Sequence, residues 1–200
     1  MQPWQPLLDF WFGDDSADAP RAARQAPLWW GKSSETDALL THRFGELAEG
    51  AAEGELAHWA EVPVGRLALI LLLDQLPRNI HRDTPAAFAQ DAKARDLCLR
   101  GLSLGADKAL SPLARVFFYL PLEHAESREQ QARSVALFEA LAAEQADGPA
   151  RETFEGFADF ARRHQVIIQR FGRFPHRNAI LGRTSTLEEA EFLQQPGSGF

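Results

Sequence analysis

The sequence has little cysteine and no long apolar stretch. Cys98 is the single cysteine among 200 residues, so no disulfide can form within the chain. We expect it to be a small buried core residue. Residues 1–15 lack the basic start and continuous apolar run of a signal peptide, which together with the cysteine count predicts a cytoplasmic location. The longest apolar run, residues 67–73, is much shorter than the roughly 20 residues of a membrane span. We therefore predict no membrane partner.

The chain also lacks an excess of positive charge and the common enzyme motifs. The formal net charge of -7 argues against a nucleic-acid partner, because phosphate binding needs a basic surface. The chain contains no P-loop, G-x-G-x-x-G, G-x-S-x-G, H-E-x-x-H or C-x-x-C motif. We therefore predict no metal and no cofactor, and the sequence leaves enzymatic activity open.

No segment alternates apolar and polar residues in the way that a β-strand does. Successive segments instead show helical periodicity and are separated by Pro and Gly, which predicts a single all-α domain of antiparallel helix pairs over residues 1–200. Residues 67–73 are apolar on every face and rich in Leu and Ala, so we place them in a buried central helix that opens at Pro63 and ends at Pro77.

The two ends of the chain have distinct compositions. Four of the five tryptophans lie in the first thirty residues, and this predicts an N-terminal aromatic segment, residues 1–30, packed on the body of the domain. An aromatic platform for a ligand is the alternative interpretation. Pro196 and Gly197 precede a short tail, residues 196–200, that we expect to be frayed.

The strongest local signal is an acid-free window, residues 160–187, which holds six arginines and no Asp or Glu. One interpretation is structural: carboxylates such as Asp74, Glu123 and Glu126 pair with these arginines. The other is that the arginines bind an anion from outside the chain. Both interpretations can hold together if one arginine is left without a carboxylate.

Two short segments repeat a pattern of proline followed by Arg-Asn, at residues 77–79 and 175–178. If these turns meet in space, they form one polar cluster. His124 lies on an apolar helix stripe, where a histidine is more often a hydrogen-bonded core residue than a ligand. A general acid/base pair could also be drawn from His124, Glu126 and His176. The candidate ligand-binding residues are Asp74, Gln75, Arg78, Asn79, His124, Glu126, Arg173, His176, Arg177, Asn178 and Arg183.

Three strings in the chain resemble a known family: residues 73–79 (LDQLPRN), residues 120–127 (LPLEHAES) and residues 170–183. They are similar to those of the bacterial domain-of-unknown-function family 924, and the resemblance extends from Leu8 to Leu193. It implies an all-helical, TPR-like fold of packed helical hairpins. It implies no activity and no catalytic residues.

Two functions follow from this reading. The first is a binding or scaffold protein that presents a concave helical surface to a protein partner. The alternative is a small-molecule anion-binding protein or enzyme that uses the polar candidates named above. A closed polar pocket would favour the second function, and an open groove with exposed aromatic side chains would favour the first.

Overall fold

The computed structural model describes residues 2–14 and 17–199, and the regular structure in these ranges is helical, with no β-strand. This confirms the all-α prediction, whereas the TPR-like arrangement stays a prediction. No helix within the described ranges combines the length and apolar composition needed to cross a bilayer. The α-helices are α1 (Gln5–Phe12), α2 (Asp18–Trp30), α3 (Ser34–Glu53), α4 (Pro63–Ile70), α5 (Leu76–Ile80), α6 (Asp91–Ser103), α7 (Pro112–Glu123), α8 (Arg128–Ala143), α9 (Pro149–Phe171) and α10 (Leu187–Phe192).

The central helix is confirmed, but it is longer than predicted. Helices α4 and α5 are joined by one π-helical turn, Leu71–Gln75, in which the backbone N–H of Leu76 bonds the carbonyl of Leu71. The chain therefore stays helical through Pro77 to Ile80, and the predicted end at Pro77 is wrong. The wider turn accommodates a proline, which has no N–H to give and whose ring would crowd an ordinary helical turn.

The helix starts follow the capping residues closely. The side chains of Ser111 and Ser127 accept hydrogen bonds from the first turns of α7 and α8, and Thr186 with Glu189 forms a complete capping box at α10. At α3 the capping side chain is that of Ser33, which accepts a hydrogen bond from the backbone N–H of Thr36.

The N-terminal aromatic side chains contact helix α7. The indole N–H of Trp29 donates to the carbonyl oxygen of Trp11 at 2.9 Å, and its ring lies 4.7 Å from that of Phe117. Trp30 stacks on the ring of Phe117 as well, with the two ring centroids 5.8 Å apart and the ring planes 7° from parallel. Trp11 and Phe117 are fully buried. The first two helices are therefore held against the core mainly by aromatic contacts.

The interior contains one large apolar cluster and one small one. The large cluster includes the whole of residues 67–73, which are at most 3% exposed, and the buried Cys98. The small cluster consists of Ile167, Ile168 and Phe174, which pack together at the end of α9. Phe174 belongs to the arginine-rich loop that follows α9, so this cluster attaches to α9 the loop that contains Arg177.

Helix α6 packs closely on α7 at Gly101. A methyl group there would overlap the ring of Phe118 and lie 2.7 Å from Cδ of Arg66. We expect Gly101→Ala to lower the free energy of unfolding by about 1–3 kcal/mol, because two buried side chains would have to move. Denaturant unfolding measures this change.

Gly156 provides the matched control, because it is an exposed position within α9 and a methyl group there would contact nothing within 4 Å. Gly156→Ala should stabilise the protein by about 0.5–1 kcal/mol. Equal effects of the two substitutions would contradict the close packing of α6 on α7.

Candidate functional site

Asp74 is the centre of a buried polar cluster. The π turn places its carboxylate in the interior with no exposure to solvent. Gln75 Nε2 donates to Oδ2 at 2.6 Å, His124 Nδ1 lies 2.8 Å from Oδ1, and Nη1 of Arg78 lies 3.4 Å from Oδ1. Burial alone would raise the pKa of Asp74, but the charge of Arg78 and the hydrogen bonds from His124 and Gln75 outweigh it, and the pKa falls below its usual range.

Asp91 joins the two segments that share the proline and Arg-Asn pattern. Arg78 donates from Nη1 and Nη2 to the two oxygens of Asp91, at 3.0 and 3.2 Å. Arg177 donates from Nη1 to Oδ2 of the same carboxylate at 3.2 Å. The two turns therefore meet in space, and a carboxylate that opens α6 connects them. We call Asp74, Arg78, Asp91, His124 and Arg177 the Asp91 cluster.

Arg177 is the most enclosed arginine of this cluster, with a side chain 7% exposed. Its guanidinium lies between two aromatic rings, 4.6 Å from the centroid of Phe88 and 4.6 Å from that of Phe174. Its Nε is buried and bonds to no described residue. Burial, followed by repulsion from Arg78, lowers the pKa of Arg177 to about 10, so the side chain is charged at neutral pH.

A cavity of about 320 Å³ lies beside the Asp91 cluster. Its wall combines cationic, anionic and aromatic side chains with small apolar ones. The lining residues are Pro85, Phe88, Ala89, Asp91, Ala92, Arg95, Pro121, His124, Ala125, Glu126, Arg177 and Leu181. Its volume is at the lower end of the range for small-molecule sites, roughly 300–1,000 Å³.

Several predicted residues form a second network next to the cavity. Arg183 donates to both oxygens of Glu126, at 2.7 and 2.9 Å, and its Nε donates to Oδ1 of Asn178 at 3.0 Å. The amide of Asn178 in turn donates to Ser185 Oγ at 3.0 Å. Burial opposes the ionisation of Glu126, but the hydrogen bond from Arg183 outweighs it and keeps the pKa below its usual range. This network fixes the loop after α9 rather than presenting free donors.

Two predicted residues lie away from the cavity, and one of them, Arg173, joins the second network through Glu189, which also accepts a bond from Asn178 at 3.3 Å. Asn79 donates to Asp37 Oδ1 at 3.0 Å, on the side of α5 that faces α3. Arg173 forms a two-point ion pair with Glu189, at 2.6 and 2.7 Å. That bond from Arg173 lowers the pKa of Glu189 to about 2. Neither residue lines the cavity.

The histidines beside the cluster are held neutral by their surroundings. Burial, followed by the charge of Arg177, lowers the pKa of His176 to about 4. His164 is 5% exposed, and burial, followed by His124, lowers its pKa well below the usual range. The ring of Phe174 lies 5.5 Å from each of these two imidazoles.

Three residues of the site were missed by the sequence analysis: Phe88, Asp91 and Arg95. Phe88 ends the short 3-10 turn Pro85–Phe88, and Asp91 and Arg95 lie in the first turns of α6. A helix start explains these residue types as well as a binding site does. Asp91 is an acidic residue in a first helical turn, a common stabilising position. The available signal was that Arg177 lies in an acid-free window and so needs a carboxylate from elsewhere in the chain.

No group of three or more His, Cys, Asp or Glu side chains within residues 2–14 and 17–199 is arranged to bind a metal ion. The cluster is instead built from charge-assisted hydrogen bonds between arginines, carboxylates and one imidazole.

The fold and this cluster define a class of all-helical protein with a buried ionic network beside a small cavity. The chain belongs to the bacterial family described as proteins of unknown function, DUF924, which it matches over residues 7–197. It is also similar to a solved structure described as a protein of unknown function from Agrobacterium tumefaciens. That similarity has a TM-score of 0.74 and 37% sequence identity, and covers 89% of this chain and 99% of the other. Comparison with curated proteins gives no match.

Glu123 generates a prediction about stability and pH. Its carboxyl group is 3% exposed, and burial, followed by the charge of Asp74, raises its pKa to about 8. A raised pKa in the folded state means that the stabilising contribution is complete below the unfolded pKa of 4.5 and is lost as the pH rises through 8. Glu123→Gln, which mimics the neutral acid, should therefore gain stability relative to the wild type from pH 5 to 8, by up to about 1.4 kcal/mol per pH unit.

Denaturant unfolding at several pH values measures this difference, and the exposed Glu129 provides the control. Glu129→Gln should keep a constant offset from the wild type across the same range. If the free energies of unfolding of Glu123→Gln and the wild type also differ by a constant amount from pH 5 to 8, then Glu123 is ionised in the folded protein over that whole range.

Proposed function

We propose that the cavity beside the Asp91 cluster binds a small anion that carries a carboxylate or phosphate group. The observation that supports this most is the state of Arg177. Its side chain lines the cavity and is 93% buried, yet Nη1 alone has a bonded partner among the described residues. A buried hydrogen-bond donor is costly when it has no acceptor, so Nε of Arg177 favours an acceptor from outside the chain.

The chemistry of the wall fits an anion of modest size. A guanidinium offers a planar fork of donors that matches the two oxygens of a carboxylate or phosphate. Arg95, which also lines the cavity, adds a second positive charge, and Phe88 supplies an apolar surface. Asp91 does not cancel this preference, because it already accepts two bonds from Arg78.

The scaffold role predicted from the sequence has weaker support. It depends on a concave TPR-like surface for a protein partner, and it stays a prediction, as does the cytoplasmic location. The cationic side chains in the cavity wall, Arg95 and Arg177, favour the alternative that the sequence also offered, a small anionic ligand.

Thermal unfolding with inorganic phosphate and with succinate tests the proposal. An anion present at a hundred times its Kd adds about 2.7 kcal/mol of stability, which corresponds to a rise in Tm of roughly 5–10 °C for a chain of this size. The rise should disappear in Arg177→Ala. Arg78 still pairs with Asp91 in that variant, so its own loss of stability should stay below the roughly 3–5 kcal/mol of a broken buried pair.

Arg163→Ala is the matched control, because it removes the same charge from an exposed side chain of α9 that forms an ion pair with the exposed Asp159. It should retain the full rise in Tm. A rise that persists in Arg177→Ala, or no rise with either anion, would contradict an anion site at Arg177.

A further inference from the structure

We propose that His124 is a proton acceptor in this cavity, oriented by Asp74 so that its Nε2 takes a proton from an O–H group. The O–H group belongs either to the bound anion or to a water molecule beside it. The inference rests on the proposed function, because the cavity that holds the anion is the one that His124 lines.

The hydrogen bond to Asp74 decides which imidazole nitrogen carries hydrogen. His124 Nδ1 lies 2.8 and 3.0 Å from the two oxygens of the Asp74 carboxylate. An ionised carboxylate only accepts hydrogen bonds, so Nδ1 must be the protonated nitrogen of the neutral ring. Burial, followed by the charge of Arg78, lowers the pKa of His124, which keeps the ring neutral. Nε2 is then left with its lone pair.

Asp74 is fixed strongly enough to orient the ring. Its carboxylate is fully buried, and one oxygen is held by the side-chain amide of Gln75. The Nη1 of Arg78 also donates to the backbone carbonyl of Asp74, so the carboxylate and its backbone are both restrained. When Nε2 accepts a proton, the imidazolium keeps its Nδ1–H bond to the ionised carboxylate. Carboxylate–histidine pairs in enzymes stabilise the charged ring in this way.

The other edge of the ring is available. No residue in the described ranges bonds Nε2 of His124, whose side chain is 13% exposed and lines the cavity. Nε2 therefore has no hydrogen-bond partner in the described ranges, whereas Nδ1 is hydrogen-bonded to Asp74. The backbone N–H of His124 bonds the carbonyl of Leu120 at 2.9 Å, so the residue itself is anchored at the end of α7.

The composition of the wall indicates where the proton originates. The lining residues include no Ser, Thr, Tyr, Cys or Lys, so the described wall offers no hydroxyl, thiol or amine to attack a substrate. The proton must come from the ligand or from water. The O–H bond breaks, its electron pair stays on oxygen, the proton moves to Nε2, and the resulting oxyanion lies in a cavity that also contains the charge of Arg177.

The first test is the tautomer of His124, measured by long-range proton–nitrogen NMR correlations of the imidazole rings at neutral pH, with His124→Gln identifying the signals. The expected result is a protonated Nδ1 and an unprotonated Nε2. A protonated Nε2 would overturn the proposal. This measurement uses the wild-type protein and so does not depend on how well any variant of Asp74 folds.

The second test is acylation by diethyl pyrocarbonate, which reacts with unprotonated imidazole nitrogens, followed site by site by peptide mass spectrometry. His124 should react, and saturating phosphate or succinate should protect it. Asp74→Asn should slow the reaction at His124 at least tenfold, because the ring is no longer held in the reactive tautomer. The exposed His42, His58 and His81 serve as internal controls, and their rates should not change with the anion or the substitution.

The outcomes separate this proposal from the anion site. Arg177→Ala should keep His124 reactive but remove the protection by the anion. If neither anion binds the wild type while His124 shows the expected tautomer and depends on Asp74, the anion site fails and the His124 assignment holds. If an anion binds through Arg177 but His124 is inert, or reacts equally fast in Asp74→Asn, the proton-acceptor role is wrong.

Discussion

A carboxylate with no access to water imposes the main constraint on this structure. An ionised group in an apolar interior is very costly unless charges and hydrogen-bond donors surround it, and Asp74 lies at the end of a core segment whose neighbours are Leu and Ile. Its partners come from three places: Gln75 beside it, Arg78 one turn later, and His124 from α7. The need to stabilise this one buried charge therefore brings Arg78 of α5 and His124 at the end of α7 together.

Asp91 extends this constraint to the C-terminal part of the chain. Its carboxylate accepts bonds from Arg78, thirteen residues before it, and from Arg177, 86 residues after it. The loop that follows α9 is then held at three carboxylates, Asp91, Glu126 and Glu189, by three successive arginines. The acid-free composition of this segment has a physical reason, because an acid within the loop would compete for those arginines.

The fold was more predictable from the sequence than the site. Helix starts follow from Ser, Thr and Pro before apolar stripes, and the Leu and Ala content of the buried apolar segment favours a central helix over a buried strand, because these are local properties. The π turn could not be foreseen, since it results from how Asp74 and Pro77 fit the packed interior. The pairing of arginines with carboxylates was one of two interpretations, and the choice of partners depends on distances across the fold. Asp91 and Phe88 were missed because a helix start and an apolar contact accounted for them equally well.

The π turn within residues 71–75 also has a consequence for insertions and deletions. A π turn contains one residue more than an α-helical turn, so the chain there carries an extra residue relative to a continuous helix. Deleting one residue within the turn would convert it to an ordinary α-helical turn and leave α4 and α5 in nearly the same relative orientation, whereas a deletion elsewhere in either helix would rotate everything after it by about 100°. Arg78 would still face Asp91, but the wider turn that holds Asp74 would be lost. A change of one residue in length is therefore absorbed better within residues 71–75 than elsewhere in the central helix.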